Sequence, residues 1–332
     1  MQQQTEPELY DPPTDGITSM QFSPMDPVLL MVTSWDKMVR LYDVQSNQLR
    51  ARYDHAGAVL DGCFSADGIN VFSGGIDKRV RMFDVTVVRE SKSLGAHDEA
   101  VRCVNYCDET NQVVSGSWDK TLKFWDPRSQ QALVGTYPQP EKIFSMDIVG
   151  NKLVVAMAQR IVHIFDVRNM DEPLQRRESS LKFQTRCVRC MPNGEGYASS
   201  SIEGRVAVEF FDNSPESQSR KYAFKCHRQV VDGVDTVFPV NALAFHPVHG
   251  TFASGGADGV VNLWDGFNKK RLRQYPRYPT SIASLAFSPD GRILAIASSY
   301  TFEEGEKDTP PDSVFIRWLG ENEGKPRTSS TQ

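Results

Sequence analysis

The chain has 332 residues and a mass of 37.3 kDa, with 39% hydrophobic, 10% aromatic and 24% charged residues; this composition excludes disorder over most of its length. Its apolar runs, such as Val28–Val32 and Leu153–Ala158, fall far short of the ~20 residues a membrane helix needs. A formal net charge of −5 argues against indiscriminate nucleic-acid binding, which requires a basic surface.

The chain opens Met1-Gln2-Gln3-Gln4 and turns acidic, without the basic and apolar stretches of a secretory signal. The six cysteines, Cys63, Cys103, Cys107, Cys187, Cys190 and Cys226, are therefore expected to be reduced thiols. From there the chain repeats itself. Ser34-Trp35-Asp36 leads through a short strand to Leu41-Tyr42-Asp43, Gly75-Ile76-Asp77 to Met82-Phe83-Asp84, and Ser117-Trp118-Asp119 to Phe124-Trp125-Asp126. Two weaker copies follow, with Gln159 and Glu203 at the Asp position, and then Gly256-Ala257-Asp258 leads to Leu263-Trp264-Asp265. The steps between positions 36, 77, 119, 159, 203 and 258 are 41, 42, 40, 44 and 55 residues.

Upstream of each turn, alternating residues run into an aromatic: Phe22-Ser23-Pro24, Phe64-Ser65-Ala66, Phe245-His246-Pro247 and Phe287-Ser288-Pro289. Alternation with β-branched and aromatic enrichment reads as strand, and the Pro, Gly and Asp between runs read as turns. A period of ~40–45 residues with four strands and a Trp-Asp ending is the signature of propeller blades. The expectation is an all-β, single-domain, seven-bladed propeller over residues 1–320. Its blades fall near 17–53, 58–94, 100–136, 142–178, 185–224, 239–276 and 281–318. The seventh unit lacks a fourth strand, which the segment before Asp11 is expected to supply. Asn213–Phe238 and the acidic Thr301–Asp312 read as loop excursions, and 321–332 as a disordered tail.

Some constellations imitate chemistry. His97, Ser115, Asp119 and Trp125 fall in one unit and are matched by His55, Ser73, Asp77 and Phe83 in another. One catalytic triad would not recur in two blades, so a buried hydrogen-bond network is the expected role. Cys187 and Cys190 suggest half a zinc site, but strand residues three apart point to opposite faces. Cys187 and Cys103 also occupy the repeat slot of Ala242 and Ser284, a small core position. No catalytic residue, metal ligand or cofactor is expected.

Two features exceed what a blade needs. Trp35 and Trp118 share the slot before the turn Asp, on one rim of the ring, where buried aromatic anchors make interfaces. Basic residues also concentrate locally: from Arg160 to Arg228 there are 12 Lys and Arg against 9 Asp and Glu. Arg205, Lys225 and Arg228, with Lys182, Arg186 and Arg189, are the candidates for an anion-binding surface.

The strings between blades carry a resemblance. Arg176-Arg177-Glu178-Ser179-Ser180-Leu181-Lys182-Phe183-Gln184-Thr185-Arg186-Cys187, Ser200-Ser201-Ile202-Glu203-Gly204-Arg205-Val206-Ala207-Val208-Glu209, Phe224-Lys225-Cys226-His227-Arg228 and Tyr278-Pro279-Thr280-Ser281-Ile282-Ala283-Ser284-Leu285-Ala286-Phe287 resemble the mitotic spindle-checkpoint WD-repeat family of the budding-uninhibited-by-benzimidazole type. The match covers Gly16 to Trp318. A sister family, the messenger-RNA-export propeller of the nuclear pore, shares several strings, but Gln139-Pro140-Glu141-Lys142 and Gly116-Ser117-Trp118-Asp119-Lys120-Thr121 look more like the checkpoint branch. The segment Gln229–Phe238 matches poorly with either.

The resemblance implies a monomeric, non-enzymatic scaffold working in hetero-complexes, without membrane or direct nucleic-acid partners. It implies binding of GLEBS segments of checkpoint kinase and kinase-like proteins, and of phosphorylated Met-Glu-Leu-Thr repeats of a kinetochore scaffold. Trp35, Trp118 and Arg205 match the GLEBS-facing surface, and Lys225, with Arg205 and Arg228, the phosphothreonine site; Arg205 stands in both. It implies the nucleus, and the kinetochore in mitosis, with the cytoplasm as a further location. The alternative is an export or nucleoporin adaptor.

Overall fold

The computed structural model describes residues 6–87 and 91–326. The opening Met-Gln run and the end of the expected tail, 327–332, lie outside the described residues. Each complete repeat is a four-stranded antiparallel sheet running from an inner strand a to an outer strand d. Blade 1 comprises Ile17–Phe22, Leu29–Ser34, Met38–Asp43 and Gln48–Asp54. The inner strands of blades 2, 3, 4 and 6 are Val59–Phe64, Val101–Cys107, Ile143–Val149 and Val240–Phe245. Blade 5 comprises Thr185–Cys190, Gly196–Ser201, Arg205–Phe210 and Tyr222–Lys225. Each inner strand lies beside that of the next blade, and the seventh lies beside the first, so the blades close into the expected seven-membered ring.

Burial follows from this arrangement. Strands b and c alternate β-branched and aromatic side chains on both faces, and every face meets a neighbouring blade. The core is therefore a set of seams: Cys63, Phe72 and Val80 of blade 2 pack with Val101, Val104, Val113 and Trp125 of blade 3. Outer strands are half exposed, as the e-i-e-i burial of Gln48–Asp54 shows. Gly74 is the penultimate residue of strand b in blade 2, Asn70–Gly75, where a Cβ would run into Val101 of the next blade. The Gly-Gly pair at the turn thus serves blade packing.

Blade 7 has only three strands of its own, Ile282–Phe287, Ile293–Ser298 and Ser313–Trp318. The N-terminal segment completes it, as expected: Leu9 donates its N–H to Val314 O at 2.9 Å and Pro7 O accepts from Ile316 N at 2.9 Å. Arg317 then ties both ends together, pairing with Glu6 and, at 2.8 Å, with Glu323.

Two boundaries differ from expectation. Residues 321–326 are docked: Glu323 also reaches Arg273 at 3.2 Å, and Gly324 O accepts from the Thr251 hydroxyl at 2.7 Å. Electrostatic pairing holds a segment whose composition looked like a tail. The segment Asn213–Phe238 is likewise more than one loop. It contains the short helix Pro215–Ser219, capped by Ser214, then the outer strand of blade 5, then a hairpin of Arg228–Val231 and Val234–Val237.

A candidate partner-binding rim

The turn between strands b and c is built the same way around the ring. The residue after strand b donates its N–H to the carbonyl just before strand a: Trp35 to Gly16 at 2.9 Å, Trp118 to Ala100 at 3.0 Å, Ile202 to Gln184 at 3.2 Å. This fixes the slot residues on one rim. Trp35 stays 47% exposed. Trp118 is half-buried, and its indole N–H is buried without an acceptor. A buried unsatisfied donor costs ~1–3 kcal/mol.

Below the slot lies the expected network. In blade 3, His97 Nδ1–H donates to Asp119 Oδ2 at 2.9 Å, and Nε2 meets Ser115 Oγ at 2.7 Å, which also accepts from Trp125 Nε1 at 2.7 Å. Asp119 takes three further donors, Thr121 Oγ1 at 2.6 Å, Thr121 N at 2.9 Å and Asp98 N at 2.9 Å. Burial pushes the His97 pKa down, against the pull of Asp119. Ser115 has no solvent exposure, so no substrate meets its hydroxyl. Blade 2 repeats the set through His55, Ser73 and Asp77, with Tyr53 OH replacing the indole on Ser73 at 2.8 Å.

A third set was missed by the sequence reading. His227 meets Asp258 at 2.9 Å and Ser254 at 2.8 Å, which also accepts from Trp264 at 2.8 Å. In blades 2 and 3 the His lies 18 residues before the Ser; here it lies 27 before, displaced by the hairpin. The signal was present in Ser254, Asp258 and Trp264, which lacked only a His.

Blade 5 departs from this plan. Glu209 stands where blade 3 has Trp125, accepting from Tyr197 OH at 2.7 Å and Ser180 Oγ at 2.9 Å. The turn acid is Glu203, and its partners are a backbone N–H and two arginines at the rim. Its carboxylate receives Lys182 N at 3.2 Å and lies 3.5 Å from Arg205 Nε, while its carbonyl accepts from Arg228 at 3.0 Å. Arg205 opens strand c and pairs in register with Lys225, the last residue of strand d. Side chains directly opposite each other on antiparallel strands lie ~4.5–5.5 Å apart at Cβ, and like charges there repel. The rim thus holds Arg205 and exposed Lys225 side by side, with Arg228 next to them, its guanidinium 3.6 Å from Asp235.

Arg186 and Arg189, expected on the same basic surface, lie elsewhere. A bulge between Thr185 and Cys187 turns Arg186 into the axial channel, where Asn241 Oδ1 accepts from its Nε and Nη2 at 3.2 and 2.9 Å. Arg189 lines the same channel near Asp147 and Asp61. Cys103 and Cys187 line it too, at the level of Ala242 and Ser284, and burial pushes the Cys103 thiol up to about 12. Cys187 and Cys190 fall in different packing clusters, on opposite faces of their strand.

The WD domain, G-beta repeat model matches residues 6–43, 46–84, 89–126 and 221–265, so the ring is a WD-repeat propeller. The solved structure titled "Structure of U3-55K" shares the fold, with a TM-score of 0.78 at 19% identity over 94% of this chain and 98% of that one. The mitotic checkpoint protein BUB3.1 of Arabidopsis thaliana is 59% identical over 96% of this chain and 94% of its own. The poly(A)+ RNA export protein of Schizosaccharomyces pombe is 37% identical over 96% of this chain and 92% of its own. The chain belongs to the BUB3 family of mitotic checkpoint WD-repeat proteins.

Proposed function

We propose that the protein is a non-enzymatic scaffold of the mitotic spindle checkpoint, acting in the nucleus and at kinetochores. On this reading one rim binds GLEBS segments of checkpoint kinase and kinase-like proteins through Trp35, Trp118 and Arg205. Lys225, Arg205 and Arg228 hold the phosphothreonine of Met-Glu-Leu-Thr repeats. The observation that carries the reading is the register pairing of Arg205 with Lys225. Two cations facing each other at a strand end gain from a dianionic ligand with three acceptor oxygens, since charge-assisted bonds replace repulsion. The checkpoint relative's higher identity, 59% against 37% for the export relative, favours this branch over a nucleoporin adaptor.

The test titrates phosphorylated and unphosphorylated Met-Glu-Leu-Thr peptides against wild type and Lys225→Glu. The wild type should prefer the phosphorylated peptide, and the preference should weaken as salt shortens the screening length below ~8 Å. Lys225→Glu should abolish it and spare a GLEBS peptide. An undiminished preference removes Lys225 from the site. Co-purification from mitotic extract separates the branches: kinetochore and checkpoint proteins support the scaffold, nucleoporins alone the adaptor.

A further inference from the structure

The hairpin of Arg228–Val231 and Val234–Val237 belongs to no blade and forms a sheet of two strands only. Its turn residues Asp232 and Gly233 both take positive φ, 51° and 78°. Two such residues match the twist of the flanking strands and set a tight hairpin. The root is equally fixed. Phe238 N donates to His227 O at 3.0 Å, and the His227 ring is locked between Asp258 and Ser254 of blade 6. Arg228 is held from both sides, by Glu203 O at 3.0 Å and Asp235 at 3.6 Å. The hairpin is a preformed arm bolted to the rim where blades 5 and 6 meet.

What it presents to solvent is unusual for an arm. Val230 is 73% exposed, Val234 65%, Val231 45% and Val237 39%. None of the four joins a core cluster, and the pairing leaves the outer edge of each strand open. Exposed apolar residues on open strand edges invite pairing with another chain, and natural sheets normally blunt them with charge, proline or a cover. Only Arg228, Asp232 and Asp235 carry charge here, and Arg228 and Asp235 engage each other.

We propose that the hairpin is the second half of the phosphopeptide site. The segment whose phosphothreonine rests on Arg205 and Lys225 continues as an extended strand along the hairpin edge and seats apolar side chains on the valines. This rests on the phosphothreonine reading above. Continuity selects the occupant: only Cys226 and His227 separate Lys225 from Arg228. At ~3.3 Å per residue, a few residues of extended peptide carry the chain from the basic pair to the edge. The open edge asks for backbone donors and acceptors, which an extended segment has free. A second copy of the protein meeting this rim would bring Arg205, Lys225 and Arg228 against their own like charges. The arm therefore confers length and sequence dependence on a site that phosphate alone would leave tolerant of any phosphothreonine.

The experiment uses two phosphopeptides. The short one covers the phosphothreonine and its immediate neighbours; the long one continues roughly eight residues on each side, ~25 Å of strand each way. Wild type should bind the long peptide about five- to tenfold more tightly, as cross-strand contacts and valine burial accumulate. Val230→Asn with Val234→Asn should remove that gain, leave the short peptide unchanged and keep the unfolding temperature. Equal affinity of wild type for both lengths overturns the proposal, as does an equal loss on both peptides in the valine variant. A change in sedimentation on mutating the valines assigns the arm to self-association and also overturns it. Lys225→Glu reports separately: loss of phosphate preference on both lengths supports the phosphothreonine reading whatever the valines do.

Discussion

Blades 3 and 5 stand on either side of blade 4 in the ring and solve the same turn in opposite ways. In blade 3 the turn acid, Asp119, faces inward and meets His97, Thr121 and a backbone N–H. In blade 5 the turn acid, Glu203, meets the partly exposed Arg205 guanidinium and the backbone N–H of Lys182. The first arrangement closes polar groups against each other and leaves nothing over. The second leaves Arg205 and Lys225 with more positive charge than Glu203 can neutralise. The difference lies in where the turn acid's partners sit: inside the blade in one case, at the rim in the other.

Trp118 of blade 3, with Trp35 of blade 1, offers the largest break in the comparison. Each Ala substitution should cost at least ~2 kcal/mol of GLEBS-peptide binding, as truncated aromatic anchors do. Calorimetric unfolding should be little affected, because both side chains sit on the rim, with Trp118 the more costly of the two for being half-buried. Wild-type affinity in both variants would remove them from the interface.

His97→Ala should do the reverse, lowering stability by ~1–3 kcal/mol while peptide binding persists, since Asp119 and Ser115 each lose one hydrogen-bond partner inside the blade. Denaturant titration measures it. Covalent labelling of Ser115 in the folded protein by a serine-directed probe would contradict the structural role.

Acid should weaken the closed sectors. His246 is held down to about 4 by burial first and His249 second, and its Nδ1 accepts from Val248 N and His249 N at 3.2 Å each. His97 shifts in the same direction. A folded pKa below the ordinary 6.5 means the unfolded chain binds the proton first. Stability is complete above pH 6.5 and declines as pH falls from 6.5 towards about 4. Thermal unfolding across that window should show the fall, and a flat profile would refute it.

The smallest effect sharpens blade 5. Glu203→Gln removes the one carboxylate beside Arg205, so phosphopeptide affinity should rise by ~0.5 kcal/mol, as expected for a partly exposed pair, and the gain should shrink in high salt. Weaker binding would mean that Glu203 positions Arg205 rather than opposing it.

The ring and its closure were legible because Asp36, Asp77, Asp119 and Asp258 recur beside aromatic strand ends, and this spacing survives substitution elsewhere. The rim position of Trp35, Trp118 and Arg205 followed from the same register. Arg186 was not legible as a channel residue. On a regular strand alternation would have placed it, but the bulge after Thr185 reorients it, and no residue type there announces a bulge. The outer strand Tyr222–Lys225 was hidden in an apparent loop because four half-exposed residues carry little periodicity. His227 was hidden by distance along the chain.

The clasp at blade 7 has a consequence for how the molecule comes into being. Glu6 and Arg317 meet across 311 residues of sequence. Such non-local contacts form late and slowly. During synthesis, blade 1 is made first yet cannot be sealed against its last neighbour until the final blade emerges. The nascent chain carries an open seam of apolar strand faces for almost the whole of translation. Chaperone demand should peak at that stage, and a variant lacking the first ten residues should leave the outer edge of Ser313–Trp318 open.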